Sequence, residues 1–161
     1  MQSNPQRIMD SLRRIVQALR QSTAHSQRSS NLTGAQALVI KHVGAHGGLS
    51  INDLAALTFT HQSTVSEVVG RLESRGLILR ERARDDGRRC ELRLSAKGES
   101  VARNAPITAQ ESLMQALKQL PPRRLSDLAQ GLAALIDAAG LADQTPTMFF
   151  ENQTKTEIEA E

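Results

Sequence analysis

The sequence contains no tryptophan, no tyrosine and only three phenylalanines in 161 residues. Modules that stack single-stranded bases on aromatic rings need such side chains, so this mode of binding is disfavoured. The single cysteine, Cys90, excludes an intramolecular disulfide framework and a cysteine-cluster zinc site. No apolar run approaches the roughly 18 residues of a membrane span, and the first residues, MQSNPQRIMD, lack a secretory signal pattern. We therefore expect a cytoplasmic protein with no membrane association.

Catalytic and metal-binding patterns are also missing. The sequence has no glycine-rich phosphate or dinucleotide loop, no nucleophile elbow and no H-E-x-x-H pattern. Asp85 and Asp86 precede a glycine, and adjacent acids there are more typical of a turn than of a catalytic pair. His42 and His46 share a helix face, but no third metal ligand is evident nearby. The sequence predicts no catalytic residue, no metal and no cofactor, and thus not an enzyme.

Charge, by contrast, is present and unevenly distributed. The net charge is +3, but residues 143–161 contain five acids and one base, so the first 142 residues carry +7. Seven arginines lie within 19 residues: Arg71, Arg75, Arg80, Arg82, Arg84, Arg88 and Arg89. The guanidinium fork suits phosphates and guanine edges, although a solvated charged face would give the same pattern.

Two apolar stripes predict long amphipathic helices near the ends of the chain. One predicts a helix over residues 6–22, followed by a polar loop, and the other a helix over 122–139 that ends at Gly140. The stripes consist of Ile8, Leu12, Ile15 and Leu19, and of Leu125, Leu128, Leu132 and Leu135. They exceed what a small domain can cover, so we expect a homodimer, although the two helices could pack on each other within one chain.

Capping signals organise the middle of the chain. Thr33 and Gln36 form a capping box for a second helix, and Ser50 and Asp53 form one for a short helix over 51–57. A further helix over about 61–74 has inward valines and a leucine at 65, 68, 69 and 72. Two helices joined by a turn of a few residues are typical of a helix-turn-helix.

A basic β-hairpin follows. Cys90, Leu92 and Leu94 alternate with charged residues, residues 77–84 can pair with them, and Asp86-Gly87 is a strong hairpin turn. A hairpin directly after a helix-turn-helix is a wing, and the alternation predicts that Cys90 faces inward. Beyond it, a helical stretch from Ser95 to about Leu120 should break near Asn104, because Pro106 lies inside it.

The predicted fold class is therefore mainly α with a small β-hairpin wing. Residues 1–30 form an N-terminal dimerisation helix and linker, 31–96 a winged helix-turn-helix, and 97–141 the C-terminal dimerisation helices. Residues 142–161 form an acidic tail that we expect to be mobile. Its one apolar patch, Met148-Phe149-Phe150, is a candidate to dock on the folded part.

This order of elements resembles the MarR (multiple antibiotic resistance regulator) family of dimeric winged-helix transcription factors. The resemblance is carried by LTGAQALVIKHV at 32–43, DLAALTFTHQSTVSEVVGRLESRGLI at 53–78 and DDGRRCELRLSAKGE at 85–99. It covers roughly residues 5–140. Two departures are notable: Glu67 stands where many members carry a basic residue, and Phe59 stands where glycine is common.

The resemblance and the arginine cluster imply a DNA-binding surface. In the family pattern, the groove-facing helix supplies base contacts, two arginines lie near phosphates, and a wing arginine, Arg88, enters the minor groove while Asp86 orients it. The candidate residues are Gln62, Ser63, Thr64, Ser66, Glu67, Arg71, Arg75, Arg84, Asp86, Arg88 and Arg89. The expected partner is a pseudo-palindromic site in double-stranded DNA.

The resemblance further implies a repressor that a small aromatic ligand releases from DNA. On placement alone, Leu12, Ile15, Leu38 and His42 would line the ligand pocket. Two alternatives remain open from the sequence. One is a winged helix that binds another protein, and the other is a redox-sensing regulator acting through Cys90, whose pKa neighbouring arginines could lower.

Overall fold

The computed structural model describes residues 3–83 and 90–149, and these ranges form seven helices and one two-stranded antiparallel sheet. The fold class predicted from the sequence is confirmed. In chain order the elements are α1 (Asn4–Ser30), α2 (Gly34–Ala45), α3 (Ile51–Leu57), α4 (Gln62–Ser74), β1 (Ile78–Arg82), β2 (Cys90–Leu94), α5 (Ala96–Asn104), α6 (Ala109–Gln119) and α7 (Pro122–Ala138).

Both predicted capping boxes form. The Thr33 hydroxyl accepts from the Gln36 amide at 3.1 Å, and the Gln36 side-chain oxygen accepts in return from the Thr33 amide at 3.4 Å. At α3, the Ser50 hydroxyl accepts from the Asp53 amide at 3.2 Å and the Asp53 carboxylate accepts from the Ser50 amide at 2.9 Å. These reciprocal bonds satisfy amides that have no partner inside the helix, so α2 and α3 begin where the sequence predicts.

Helix α2 forms the centre of the core. It packs against α1, α3, α4, α5, α6 and β2, and eight of its twelve residues are buried. A helix that is covered on most sides needs no single apolar stripe, which explains the near-continuous run ALVI. The inward face of α4 packs against α2. The four apolar side chains of that α4 face are completely buried: Val65, Val68, Val69 and Leu72.

The hairpin is joined to α4 and α5 at one junction. Strands β1 and β2 pair in register from Ile78 opposite Leu94 to Arg82 opposite Cys90. The Ser95 hydroxyl donates to the Gly76 carbonyl at 2.7 Å and accepts from the Gly98 amide at 3.0 Å, so it also caps α5. A side chain at Gly98 would overlap the Leu77 carbonyl. The stretch LSAKG therefore holds the base of the wing against the end of α4.

Helix α1 is longer than the sequence predicts. It continues to Ser30 rather than ending near residue 22, so the prediction of a loop there is wrong. Thr23 is buried in this extension, and the Ser22 hydroxyl accepts from the Ala109 amide at 2.9 Å, which ties α1 to the start of α6. These contacts are made by small polar side chains. Such residues do not produce the periodic apolar pattern that predicts a helix, so the sequence does not predict the extension.

The predicted inward position of Cys90 is also wrong, because its side chain is exposed. It shares a strand face with Leu92, which is buried, and Leu94, which is partly buried against the core. Cys90 lies at the opposite end of β2, where it pairs with Arg82, whose side chain is also exposed. Alternation therefore gives the correct face of the strand but not how far along it the core extends.

The C-terminal half breaks where proline predicts. Helix α5 ends at Asn104, residues 105–108 are not helical, and α6 begins after Thr108, whose hydroxyl accepts from the Glu111 amide at 3.1 Å. Helix α7 ends before Gly140, which has a positive φ of 67°. No helix within the described ranges combines the length and apolar character that crossing a bilayer would require.

Candidate nucleic-acid interface

Helix α4 presents one polar face away from the core. Gln62, Ser63 and Glu67 are exposed, and Ser66 and Arg71 are partly exposed. The valines and the leucine of the opposite face are fully buried, which fixes the rotation of the helix about its own axis. In a helix-turn-helix, this position belongs to the helix that enters the major groove. The outward face of α4 is therefore the candidate base-reading surface.

Thr64 differs from its neighbours on α4 because it is buried. Its hydroxyl donates to the Pro146 carbonyl at 3.5 Å, and Met148, two residues further on, is 3% exposed and belongs to the core cluster. Met148, one residue of the apolar patch that the sequence suggests could dock, is thus buried on the folded part, while the mobility expected of the acidic tail stays a prediction. Phe149 stays exposed, and Phe150 lies outside the described residues.

Arg75, expected near a phosphate, makes a contact within the domain. Its guanidinium donates from Nη1 to the Gln36 side-chain oxygen at 3.0 Å, and its carbonyl accepts from Lys97 Nζ at 3.2 Å. In Arg80, another member of the arginine cluster, Nε donates to both carboxylate oxygens of Glu73, at 2.8 and 2.9 Å. Part of the cluster thus stabilises the junction of α4 with its neighbours.

The remaining candidates come between β1 and β2 in the sequence. Arg84, Asp86, Arg88 and Arg89 lie outside the described residues, so their roles stay predictions. The strands that lead to them are placed, and β1 and β2 are paired up to Arg82 and Cys90.

The turn between α3 and α4 contains a bulky residue in a left-handed conformation. Phe59 has a φ of 52°, which few side chains other than glycine and asparagine adopt readily. The Thr60 amide nevertheless donates to the Ala55 carbonyl at 3.0 Å, so the turn closes. The Phe59 ring is exposed, and Lys118 Nζ lies 5.6 Å from its centre. The positive φ gives a physical reason why glycine is common at this position in the family.

A cleft of about 630 Å³ lies between α2 and α6. Lys41 enters it from α2 and forms an ion pair with Glu111 at 2.8 Å, and it also donates to the Pro106 carbonyl at 3.3 Å. The full lining is Lys41, Ile107, Glu111, Ser112, Gln115, Ala116 and Gln119. The sequence signal for Glu111 is the T-x-x-E capping pattern that begins at Thr108.

The four residues expected to line a ligand pocket lie elsewhere. Leu38 is fully buried in the core, Leu12 and His42 are partly buried, and Ile15 is exposed. His42 directly follows Lys41, and burial lowers its pKa below 6.5, an effect that the Glu111 carboxylate opposes. His42 and His46 stack with ring centres 6.0 Å apart, and no three metal-binding side chains cluster within the described ranges.

The stripes expected at a dimer interface are mostly exposed. Every side chain of α7 is exposed, and its four leucines retain 40–43% of their surface. On α1, Ile8 and Ile15 are exposed together with Met9 and Val16, whereas Leu19 is buried within the chain itself. Leu19 therefore does not contribute to the exposed stripe, which has Met9 and Val16 instead.

Comparison with known proteins points to one family. A model described as MarR family matches residues 30–89. The crystal structure of a probable transcriptional regulator from Pseudomonas aeruginosa is 33% identical with a TM-score of 0.53, and the match covers 80% of this chain and 96% of that one. The Staphylococcus aureus MepR–DNA complex is 19% identical with a TM-score of 0.55, and the match covers 86% of this chain and 99% of that one. BldR from Sulfolobus solfataricus is 21% identical with a TM-score of 0.54, and the match again covers 86% of this chain and 99% of that one. No curated protein matches the chain.

Proposed function

The chain belongs to the MarR family of winged-helix transcription regulators, and on that premise we propose that it is a homodimeric repressor that binds specific DNA sites and is released by a small molecule. The observation that carries this proposal is the orientation of α4. Its apolar face is locked in the core while Gln62, Ser63 and Glu67 face outward. In the proposed complex the hairpin that follows extends the contact along the DNA.

The base-reading part of the proposal assigns distinct roles to the α4 side chains. Ser63 can donate or accept at a base edge, and Glu67 can accept from the cytosine amino group in the major groove. The Arg88 guanidinium enters the minor groove, where narrow A·T-rich segments attract positive charge. Glu67 near a phosphate would be repelled, so its presence favours sites where a cytosine lies opposite it.

The proposed homodimer is supported by the exposed apolar stripes on α1 and α7. Burial of a leucine or isoleucine contributes roughly 1.5–3 kcal/mol, so leaving these rows in water is unfavourable. A two-fold dimer built on them would present two α4 helices, which read half-sites about 10 base pairs apart or a multiple of that spacing. The operator would accordingly be pseudo-palindromic.

Release by a ligand would act through the α2–α6 cleft. The Lys41 ammonium there, which is paired with Glu111, can donate one more hydrogen bond to an acceptor on a small aromatic compound, while Ile107 and Ala116 offer apolar surface. Helix α2 packs on α4, and α6 continues into the proposed dimer helix. A ligand that favours one arrangement of these helices would change the spacing of the two α4 helices and hence the affinity for DNA.

The proposal is tested by fluorescence anisotropy on a duplex selected by the protein from a random library. Ser63→Ala and Glu67→Ala should each weaken binding to that duplex by about 5- to 150-fold per lost base contact, and neither should weaken binding to unrelated DNA. The matched control is Gln130→Ala, an exposed position on α7. If both α4 variants bind as the wild type does, the base-reading face is assigned wrongly. If no sequence is selected, the protein-binding alternative replaces this function.

A further inference from the structure

One hydrogen bond joins the chain after α7 to the first turn of α4, and one buried side chain joins it to the core cluster. We call residues 141–149 the C-terminal segment. The Thr64 hydroxyl donates to the Pro146 carbonyl at 3.5 Å, and the Met148 side chain is 3% exposed within the core cluster. All 17 residues of the preceding helix α7 are exposed. The segment therefore contacts the domain again only after this exposed helix.

The attachment point lies at the end of α4 that would meet the bases. Thr64 is the third residue of the helix, directly after Ser63. Residues in the first turns of a recognition helix make the base contacts. A helix with its side chains is about 10–12 Å across and the major groove about 12 Å wide, so a second stretch of chain on the Thr64 side cannot enter with it.

Charge adds to the steric conflict. The segment includes Asp143, and the sequence after Phe149 contains four glutamates and one lysine. These acids follow the segment directly in the sequence, so they add negative charge to the same end of the chain. Negative charge held there repels DNA phosphates, and this repulsion acts over a Debye length of about 8–10 Å at physiological salt.

We propose that the C-terminal segment is an autoinhibitory strap: it covers the Thr64 side of α4 in the DNA-free protein, and binding to DNA requires its release. The proposal rests on the function proposed above. Release exposes Met148 and frees the Thr64 hydroxyl for the groove. The strap thereby lowers the affinity for every duplex, and more so at low salt, where the acids beyond Phe149 act most strongly.

The alternative is that the segment merely braces α4, and the two roles predict opposite effects. In the full-length protein, Met148→Ala should raise affinity for the selected duplex by about tenfold. The loss of a buried methionine weakens the attachment of the segment to the domain, so less free energy is needed to release it. The gain is limited because the attached segment already pays the entropic cost of being ordered. Phe149→Ala is the matched control, since it removes an apolar side chain of the same segment that is exposed. A brace predicts weaker binding and a lower melting temperature for Met148→Ala.

Proteolysis reports the release itself. Because the chain has no tyrosine or tryptophan and only Phe59, Phe149 and Phe150 as aromatic sites, chymotryptic cleavage at Phe149 can be followed by mass. Saturation with the selected duplex should accelerate this cleavage several-fold, while cleavage after Phe59 should not accelerate. Slower cleavage at Phe149 on binding DNA would overturn the strap.

The charge contribution is tested by replacing the four glutamates, positions 151, 157, 159 and 161, with glutamine. The variant should bind more tightly at low salt, and the gain should shrink as salt rises. If the wild type binds its selected duplex and neither this variant nor Met148→Ala binds it more tightly, only the strap is refuted. If no variant binds any duplex selectively, the proposed function fails together with the strap.

Discussion

Arg75 and Gln36 form a hydrogen bond between the end of α4 and the first turn of α2, with Nη1 3.0 Å from the side-chain oxygen. The same oxygen accepts from the Thr33 amide at 3.4 Å and so belongs to the capping box of α2. One amide group therefore couples the start of the central core helix to the end of the proposed recognition helix. Arg75, which the sequence places near a phosphate, thus also makes a contact within the domain at the end of α4.

Arg75→Ala should therefore lower the free energy of unfolding by about 1–2 kcal/mol, through loss of a hydrogen bond from a charged donor. Affinity for DNA should fall with it, but the slope of log affinity against log salt should stay as in the wild type. A phosphate contact would instead reduce that slope by about one. Urea denaturation and a salt titration measure the two quantities, with the exposed Arg103→Ala on α5 as control. A shallower slope would return Arg75 to the DNA interface.

The left-handed conformation of Phe59 gives a second prediction, which compares two replacements. Phe59→Gly and Phe59→Ala both remove the ring and its contact with Lys118, but only glycine adopts a φ of 52° without strain. The glycine variant should therefore be more stable than the alanine variant by about 1 kcal/mol, the reverse of the usual order. Thermal unfolding of both variants measures this difference. Equal or higher stability of the alanine variant would mean that the turn does not require the positive φ.

His42 should make stability depend on pH below neutrality. Burial lowers its pKa in the folded protein, with His46, Lys118 and Lys41 acting in the same direction and Glu111 against. Since the ordinary value is 6.5, protonation favours the unfolded chain. The free energy of unfolding contributed by His42 is thus highest above pH 6.5 and falls as the pH drops below it.

The measurement is urea denaturation of the wild type and His42→Gln between pH 5 and 8. Below pH 6.5, the free energy of unfolding should fall less steeply in His42→Gln than in the wild type. In His25→Gln, at an exposed position on α1, it should fall as in the wild type. A decline that is identical in all three proteins would show that His42 does not titrate on unfolding.

The dimer is tested at the centre of the α7 stripe. Leu132 is exposed within one chain, and a two-fold interface would bury it twice, so Leu132→Asp should weaken association by 100-fold or more, as expected from about 1.5–3 kcal/mol for each copy. Light scattering after gel filtration gives the mass of each species. Gln130→Asp, with the same added charge on the same helix, is the control. An unchanged dimer of Leu132→Asp would place the interface elsewhere.

Local signals in the sequence were sufficient for most of the fold. Capping boxes at Thr33 and Ser50 predicted the starts of α2 and α3, Pro106 predicted the break between α5 and α6, and alternation around Leu92 predicted the hairpin. Each of these depends on residues close together in the chain, so no tertiary information is needed.

The misses depend on contacts between distant residues. The last turns of α1 are held by Ser22 against α6, Arg75 bonds Gln36 across 39 residues, and Thr64 bonds Pro146 across 82. Polar side chains in such contacts look like solvent-facing residues in the sequence. The DNA-binding residues of α4 and the wing stay a prediction, and what the sequence does not show is that Thr64 also bonds Pro146 and Arg75 also bonds Gln36.

The most direct test of the central proposal, a dimeric regulator that reads specific DNA, is recovery of fragmented genomic DNA from the source organism by the purified protein at two salt concentrations. We predict enrichment of a pseudo-palindromic site whose half-sites are about 10 base pairs apart or a multiple of that, and which survives the higher salt. Uniform recovery that disappears at the higher salt would contradict it, since a basic surface alone binds DNA in that way.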